Sequence, residues 1–230
     1  AAQGVVIGTA MSVAGNINLA GRSSAASTNG LNITQALTST GDISLTGEST
    51  NASPGVGVNL GAEIKTTSNN STTKLTSTTG AVSGSGNITT AVGNTGNITV
   101  STAAAGTLSG VISGGGSLVK QGTGATTLTN SNTYSGSTTI STGTLQIGNA
   151  TTTGSLGTGA VTNNAALTFN RSNSMIVGNA IAGTGSVNQI GTGTTTLTAN
   201  NSYSGASTVN GGTLQVGNGG ATGTLGSGDV

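Results

Sequence analysis

Nine formally charged side chains are all that this 230-residue chain offers for acid–base or electrostatic chemistry. They are Asp42, Glu48, Glu63 and Asp229 against Arg22, Lys65, Lys74, Lys120 and Arg171. Histidine, cysteine and tryptophan are absent. With no imidazole and no thiol there is no thiolate nucleophile, no histidine base and no zinc cage. What the remaining types suit best is glycoside or lyase chemistry, for which two carboxylates and a cation in one groove are the minimum. Asp42 and Glu48 lie six apart in sequence, with Gly47 between them. Glu63 and Lys65 share one face of a strand, where a lone exposed pair is ordinarily solvated or makes a modest ion pair. The sequence therefore assigns no catalytic residue, and the protein reads as a non-enzyme.

The other motifs read the same way. Gly122-Thr123-Gly124 lacks the rest of a dinucleotide fingerprint, and no P-loop pattern occurs. A calcium nonapeptide needs an Asp in each turn, and the chain has two Asp in all. No cofactor and no metal site are expected. Asn-x-Ser/Thr occurs about as often as 24 Asn among 74 Ser and Thr produce by chance. The outward pairs Thr127/Thr129 and Thr196/Thr198 recur too seldom for an ice-binding rank, which needs one pair in every coil. Tyr134 and Tyr203, the only two tyrosines, sit at matching corners. They are the candidate surface-contact residues, able to stack on sugar rings. The competing expectation is that each covers the end of a thin core with its hydroxyl in water.

Charged residues are 4% and aromatics 1% of the chain, whereas a soluble domain has about 25% charged residues. Five basic side chains against four acidic ones make no polyanion-binding surface, so nucleic acid is excluded as a partner. No apolar run is long enough for a membrane span. The start, Ala1-Ala2-Gln3, suits a mature N-terminus left by cleavage at small residues. Gly, Ser, Thr and Asn supply about 140 positions, so any core is thin and built of small branched side chains. Such a core fills a narrow tube better than a wide sandwich.

The strongest organising feature is an internal repeat. Residues 112–161 align with 181–230 at a constant offset of 69, and about 28 of the 50 pairs are identical. Apolar positions recur in register: Ile112/Ile181, Leu128/Leu197, Ile140/Val209, Leu145/Leu214, Leu156/Leu225. One segment differs in polarity, Val119-Lys120-Gln121 against Asn188-Gln189-Ile190, which a local shift in facing would explain. Residues 1–110 repeat more loosely, as Gly15-Asn16-Ile17-Asn18-Leu19, Gly41-Asp42-Ile43-Ser44-Leu45, Gly86-Asn87-Ile88-Thr89 and Gly96-Asn97-Ile98-Thr99-Val100. Short runs alternate with period two and are separated by Gly corners, which reads as strands with one buried face. The only Pro, within Asn51-Ala52-Ser53-Pro54-Gly55, marks a turn. The expected fold is all-β: one continuous parallel β-solenoid over 1–230, with irregular coils over 1–110 and tandem repeats over 111–230. Sixty-nine divided by three gives about 23 residues per coil, hence about ten coils in a rod roughly 45–50 Å long. Stacked inward Asn, Thr and Ser are expected to satisfy one another along the axis.

Residues 111–149 and 180–218 resemble the passenger-associated repeat of bacterial autotransporters. The resemblance rests on Gly116-Ser117-Leu118-Val119-Lys120-Gln121-Gly122, Leu128-Thr129, Asn132-Thr133-Tyr134-Ser135-Gly136, Thr138-Thr139-Ile140 and Gly143-Thr144-Leu145-Gln146. The N-terminal Gly-Asn-Ile strands are similar to those of haemagglutinin-like adhesins. This resemblance implies a right-handed parallel β-helix exported to the bacterial cell surface or beyond, working as an adhesive rod on cells, surfaces or glycans. The alternative is a subunit of an extracellular fibre or sheath. Low surface charge and exposed end coils favour homotypic association.

Overall fold

A computed structural model describes residues 4–24, 28–50 and 55–230. The Ala1-Ala2-Gln3 start and most of the proline turn (51–54) lie outside the described residues. Among the described residues the regular structure is all strand, and the strand pairs are parallel. Threonine, valine and isoleucine favour this pleated backbone, and the glycine corners interrupt any helical run.

The chain winds as a three-sided parallel β-solenoid. The first side is a ten-stranded sheet running from Val5–Ile7 through Leu31–Ile33 to Ser207–Val209. The second side begins as a five-stranded sheet, Met11–Val13 to Ile112–Ser113, and resumes as a three-stranded sheet of Met175–Val177, Thr194–Leu197 and Thr213–Val216. The third side is an eight-stranded sheet from Ile17–Ser23 to Ile181–Ala182. Between Val5 and Ser207 the first side is crossed by nine full turns, about 22 residues each and about 43 Å in all at the strand spacing.

Inward positions stack like on like. On the third side Ile43, Thr73, Ile98, Leu118, Thr138 and Val161 form one column. A second column runs Leu45, Leu75, Val100, Lys120, Ile140 and Asn163. All the apolar members are buried. The expected polar ladders form in part. Some inward Ser and Thr reach neighbouring carbonyls, as Ser71 reaches Thr40 at 3.0 Å and Thr102 reaches Ala104 at 2.6 Å, whereas the buried hydroxyls of Thr66, Thr73 and Thr126 have no partner. Their methyl groups serve the core instead.

Coils are not uniform. In the early part Val5 pairs with Leu31 and Leu31 with Val58. In the repeat region the same side runs from Thr126 to Leu145, Leu167 and Val187, so each coil there takes up less chain. Three coils carry Thr126 only as far as Val187, whereas the sequence repeat carries it to Thr195. One copy therefore advances the chain by three coils and about a third of another. Each strand of the second copy consequently lies one side further round. Ser117–Gln121 is on the third side and its counterpart Ser186–Gln189 on the first. Ala125–Leu128 is on the first side and Thr194–Leu197 on the second. Thr138–Ile140 and Ser207–Val209 follow the same rule. Dividing the repeat evenly into three coils fails in this region because the unit of sequence repetition is not a whole number of turns.

The expected shift in facing at Lys120 is likewise not found. Leu118 and Lys120 are both buried, as are Val187 and Gln189. The swap exchanges one inward polar side chain for another.

Candidate functional site

The carboxylates do not converge. Asp42 precedes the strand Ile43–Ser49 and Glu48 lies near its far end, about 20 Å apart along an extended chain. Asp42 is a corner residue: its backbone N–H donates to Asn16 Oδ1 at 2.8 Å, and its own Oδ1 accepts the Thr72 N–H at 2.8 Å. Glu48 stacks over Arg22 in the ladder, with Nε to Oε2 at 3.4 Å and side chains 33% and 70% exposed. A pair this exposed contributes little, so Arg22→Ala should change unfolding free energy by under about 0.5 kcal/mol in urea titrations. Glu63 accepts the Thr89 hydroxyl at 2.7 Å. Among the described residues no three acidic side chains gather where a metal ion could sit.

Tyr134 and Tyr203 are not surface-contact residues. Both are fully buried. Each ring lies inside the tube because the facing glycine of the next coil leaves room for it. A Cβ on Gly157 would lie 2.5 Å from Tyr134 Cδ2, and one on Gly226 would lie 2.6 Å from Tyr203 Cδ2. The hydroxyls are inside as well, 2.7 Å from Thr138 Oγ1 and from Ser207 Oγ. Burial raises the Tyr134 pKa above its ordinary value, against hydrogen bonds with Gly157 and Thr138. A Cβ on Gly157 would also collide with the Tyr134 carbonyl oxygen, so Gly157→Ala should destabilise wild type by about 1–3 kcal/mol, and a Tyr134→Ala background should relieve only the share due to the ring, which a double-mutant cycle measures.

Asn132 and Asn201, in the same motif, complete the corner. Asn132 Oδ1 accepts the Ile112 N–H at 2.8 Å, while Nδ2 donates to the carbonyls of Asn130 and Ser155 at 3.2 and 2.7 Å. Asn201 repeats this with Ile181, Ala199 and Thr224 at 2.9, 3.2 and 2.6 Å. The Asn-x-Tyr spacing thus places one residue to hold the corner backbone and one to fill the core beneath it.

Sequence reasoning missed the role of Lys120. Its stem continues the column between Val100 and Ile140. Its Nζ donates to the carbonyls of Gln121, Gly122 and Thr142 at 2.7, 2.8 and 3.2 Å. Three donors meet three acceptors. Desolvation lowers its pKa from 10.5 to about 8. The signal in the sequence was that Lys120 falls on the inward phase of an alternating strand.

The outward surfaces differ by side. The first side carries an uncharged amide and hydroxyl ladder, including Asn32, Asn59, Thr107, Thr127, Gln146 and Asn188. Asn59 donates to Asn32 at 2.7 Å and Thr208 to Asn188 at 2.6 Å. The only formal charge on its described strands is Arg171, which ends one of them and holds the carbonyls of Thr152 and Gly154 in the preceding coil. On the second side, a groove of about 290 Å³ runs between residues 155–158 and 175–179, flanked by Ile176, which is 66% exposed.

A corner Asn, a buried Tyr and an inward polar residue before Gly-x-Gly thus recur together in the two copies. Residues 118–147 and 187–216 match the Passenger-associated-transport-repeat. Each matched stretch lies within one of the two copies described above, at the same offset of 69. The chain is also similar to the adhesin BmaC autotransporter of Brucella suis biovar 1 (strain 1330), 44% identical over 69 residues. That alignment covers 30% of this chain and 2% of the relative. No solved structure matches the chain. The passenger repeats thus lie on a parallel β-solenoid. Among the described residues no helix is long and apolar enough to cross a membrane.

Proposed function

We propose that the chain is a non-enzymatic rod segment, at the bacterial cell surface or secreted, whose outward ladders make repeated weak polar contacts with cells, surfaces or glycans. The observation that carries this reading is the pair of passenger repeats at 118–147 and 187–216 on a continuous solenoid, together with the similarity to an adhesin. The first side is the best contact surface. Its amides and hydroxyls present donors and acceptors at the strand spacing, with almost no charge to repel an approaching surface. Binding of the purified chain to immobilised cells and glycan arrays tests this. Thr127→Glu, Gln146→Glu and Asn188→Glu together should abolish binding and leave the circular dichroism spectrum unchanged. Undiminished binding of the triple variant would remove the first side from the reading.

A second reading, self-association into a fibre, has its own observation. Val209 and Val216 are 48% and 44% exposed, whereas their counterparts Ile140 and Ile147 are covered completely by the following coil. That surface suits a further coil, from a continuing chain or from a second copy. Light scattering of the 230-residue chain at rising concentration and low salt should show growth in mass if copies stack; a constant monomer mass would rule stacking out.

A further inference from the structure

We propose that two copies of this chain pair side by side and antiparallel, the Val92 turn of each seated in the groove beside Ile176 of the other. Among the described residues away from the two ends, Val92 and Ile176 are the most exposed large apolar side chains, Val92 at 90%. Val92 stands at the tip of a turn that Asn94 N–H closes on Ala91 O at 3.0 Å. Such tips are ordinarily Gly, Pro, Asn, Asp or Ser. One coil below, the same corner is the turn from Ser68 to Ser71, tipped by the exposed Asn69 and Asn70. One coil above it is Gly114-Gly115, where Gly115 N–H donates to Ala91 O at 2.9 Å. With no side chain over it, Val92 is a bare apolar knob.

The groove is its socket. Outward positions of the second side run Ser12, Thr38, Lys65, Thr89 and Ser113, and beyond the groove Thr196 and Gln215. Ile176 breaks this polar rank, and Leu156, Met175 and Val177 are buried beside it. The groove opens where the ladder lapses. The five-stranded sheet stops at Ile112–Ser113 and the three-stranded sheet starts at Met175–Val177. Between residues 155–158 and 175–179 a side chain bridges the coils, Asn179 Nδ2 donating to the carbonyls of Gly157 and Gly159 at 2.9 and 2.6 Å. A groove of about 290 Å³ is ample for one valine side chain.

Knob and socket lie on the same flank of the rod, where the second side turns toward the third. Val92 precedes the third-side strand Asn97–Thr102, and the groove precedes Val161–Asn163 and Ile181–Ala182. Counted along the first side, Val92 follows the fourth strand, and the groove lies between the turns that follow the seventh and eighth. The two features are therefore about 17 Å apart along the axis. A parallel two-fold would set each feature opposite its own level. An antiparallel two-fold brings knob to socket twice at once, and so closes the pair. The copies then overlap along nearly their whole length, about 40 Å, and a face about 15 Å wide covers about 600 Å² on each, the low end for a specific interface. The described second-side residues between knob and socket bear no formal charge. Glu63 and Lys65, one coil below Val92, would face the uncharged stretch around Thr196, so no like charges are brought together.

The chain has no cysteine, so introduced thiols report the pairing. Val92→Cys and Ile176→Cys chains, mixed and mildly oxidised, should cross-link to a dimer. Either variant alone should not, because like positions stay about 17–22 Å apart in the pair, beyond disulfide reach. Sedimentation of wild type should show a concentration-dependent dimer. Val92→Glu should weaken it about tenfold or more by burying a charge, with an unchanged circular dichroism spectrum. Cross-linking of Val92→Cys with itself would mean a parallel pair and overturn the proposal. So would an unlinked mixture, whether wild type stays monomeric or grows by stacked ends. No cell or glycan ligand enters these measurements, so the pair and the proposed function fail separately.

Discussion

Truncating Tyr134 to alanine is expected to cost about 3–5 kcal/mol, the range for removing a fully buried aromatic ring. The ring fills the tube between its own coil and Gly157 of the next, and its hydroxyl is paired with Thr138. In a solenoid each coil contacts mainly its neighbours, so the damage should stay local. Hydrogen exchange should accelerate at Ile112, Thr133, Ser155 and Thr158, whose amides are bonded around this corner, and stay slow around Leu45 and Leu75. Tyr134→Phe should lose only about 1 kcal/mol, the net contribution of one hydrogen bond. A loss in Tyr134→Ala no larger than this, read from urea unfolding, would mean that the ring does not fill the core.

Replacing Lys120 by methionine is the second large effect. The stem is nearly preserved, but the carbonyls of Gln121, Gly122 and Thr142 lose their shared donor. The expected cost is about 2–4 kcal/mol for buried acceptors left unpaired. A pH signature accompanies it. The folded pKa of about 8 lies below the ordinary 10.5. Between those values the unfolded chain holds a proton that the folded chain lacks, so wild-type stability rises with pH across that window. Below pH 8 both states are protonated and the dependence on this group vanishes. In Lys120→Met the rise between pH 8 and 10.5 should be absent. A methionine variant with the wild-type slope would assign the dependence to another group.

How much of this was legible in the sequence depends on whether a residue's role is local. The alternation in Thr138-Thr139-Ile140 and the register of Leu128 with Leu197 disclosed strands, stacking and a thin core. The asparagine corners were visible as a motif, though not their bonds. The burial of Tyr134 was not, because it follows from Gly157 in the next coil, and no local pattern joins the two. Lys120 was masked by its type: an inward lysine contradicts composition-based expectation until three carbonyls are seen to converge on it. Coil length failed for a third reason. The offset between copies reports where sequence repeats, whereas the ladder from Thr126 to Leu145, Leu167 and Val187 reports where the chain closes on itself.

That mismatch gives the molecule a compass. Inserting or deleting a single copy of the repeat would swing everything beyond it through about 120° as well as displacing it by about 16 Å along the axis. Only changes made in threes would leave the heading of a distal surface untouched. Copy number in an array built this way therefore governs aim as much as reach.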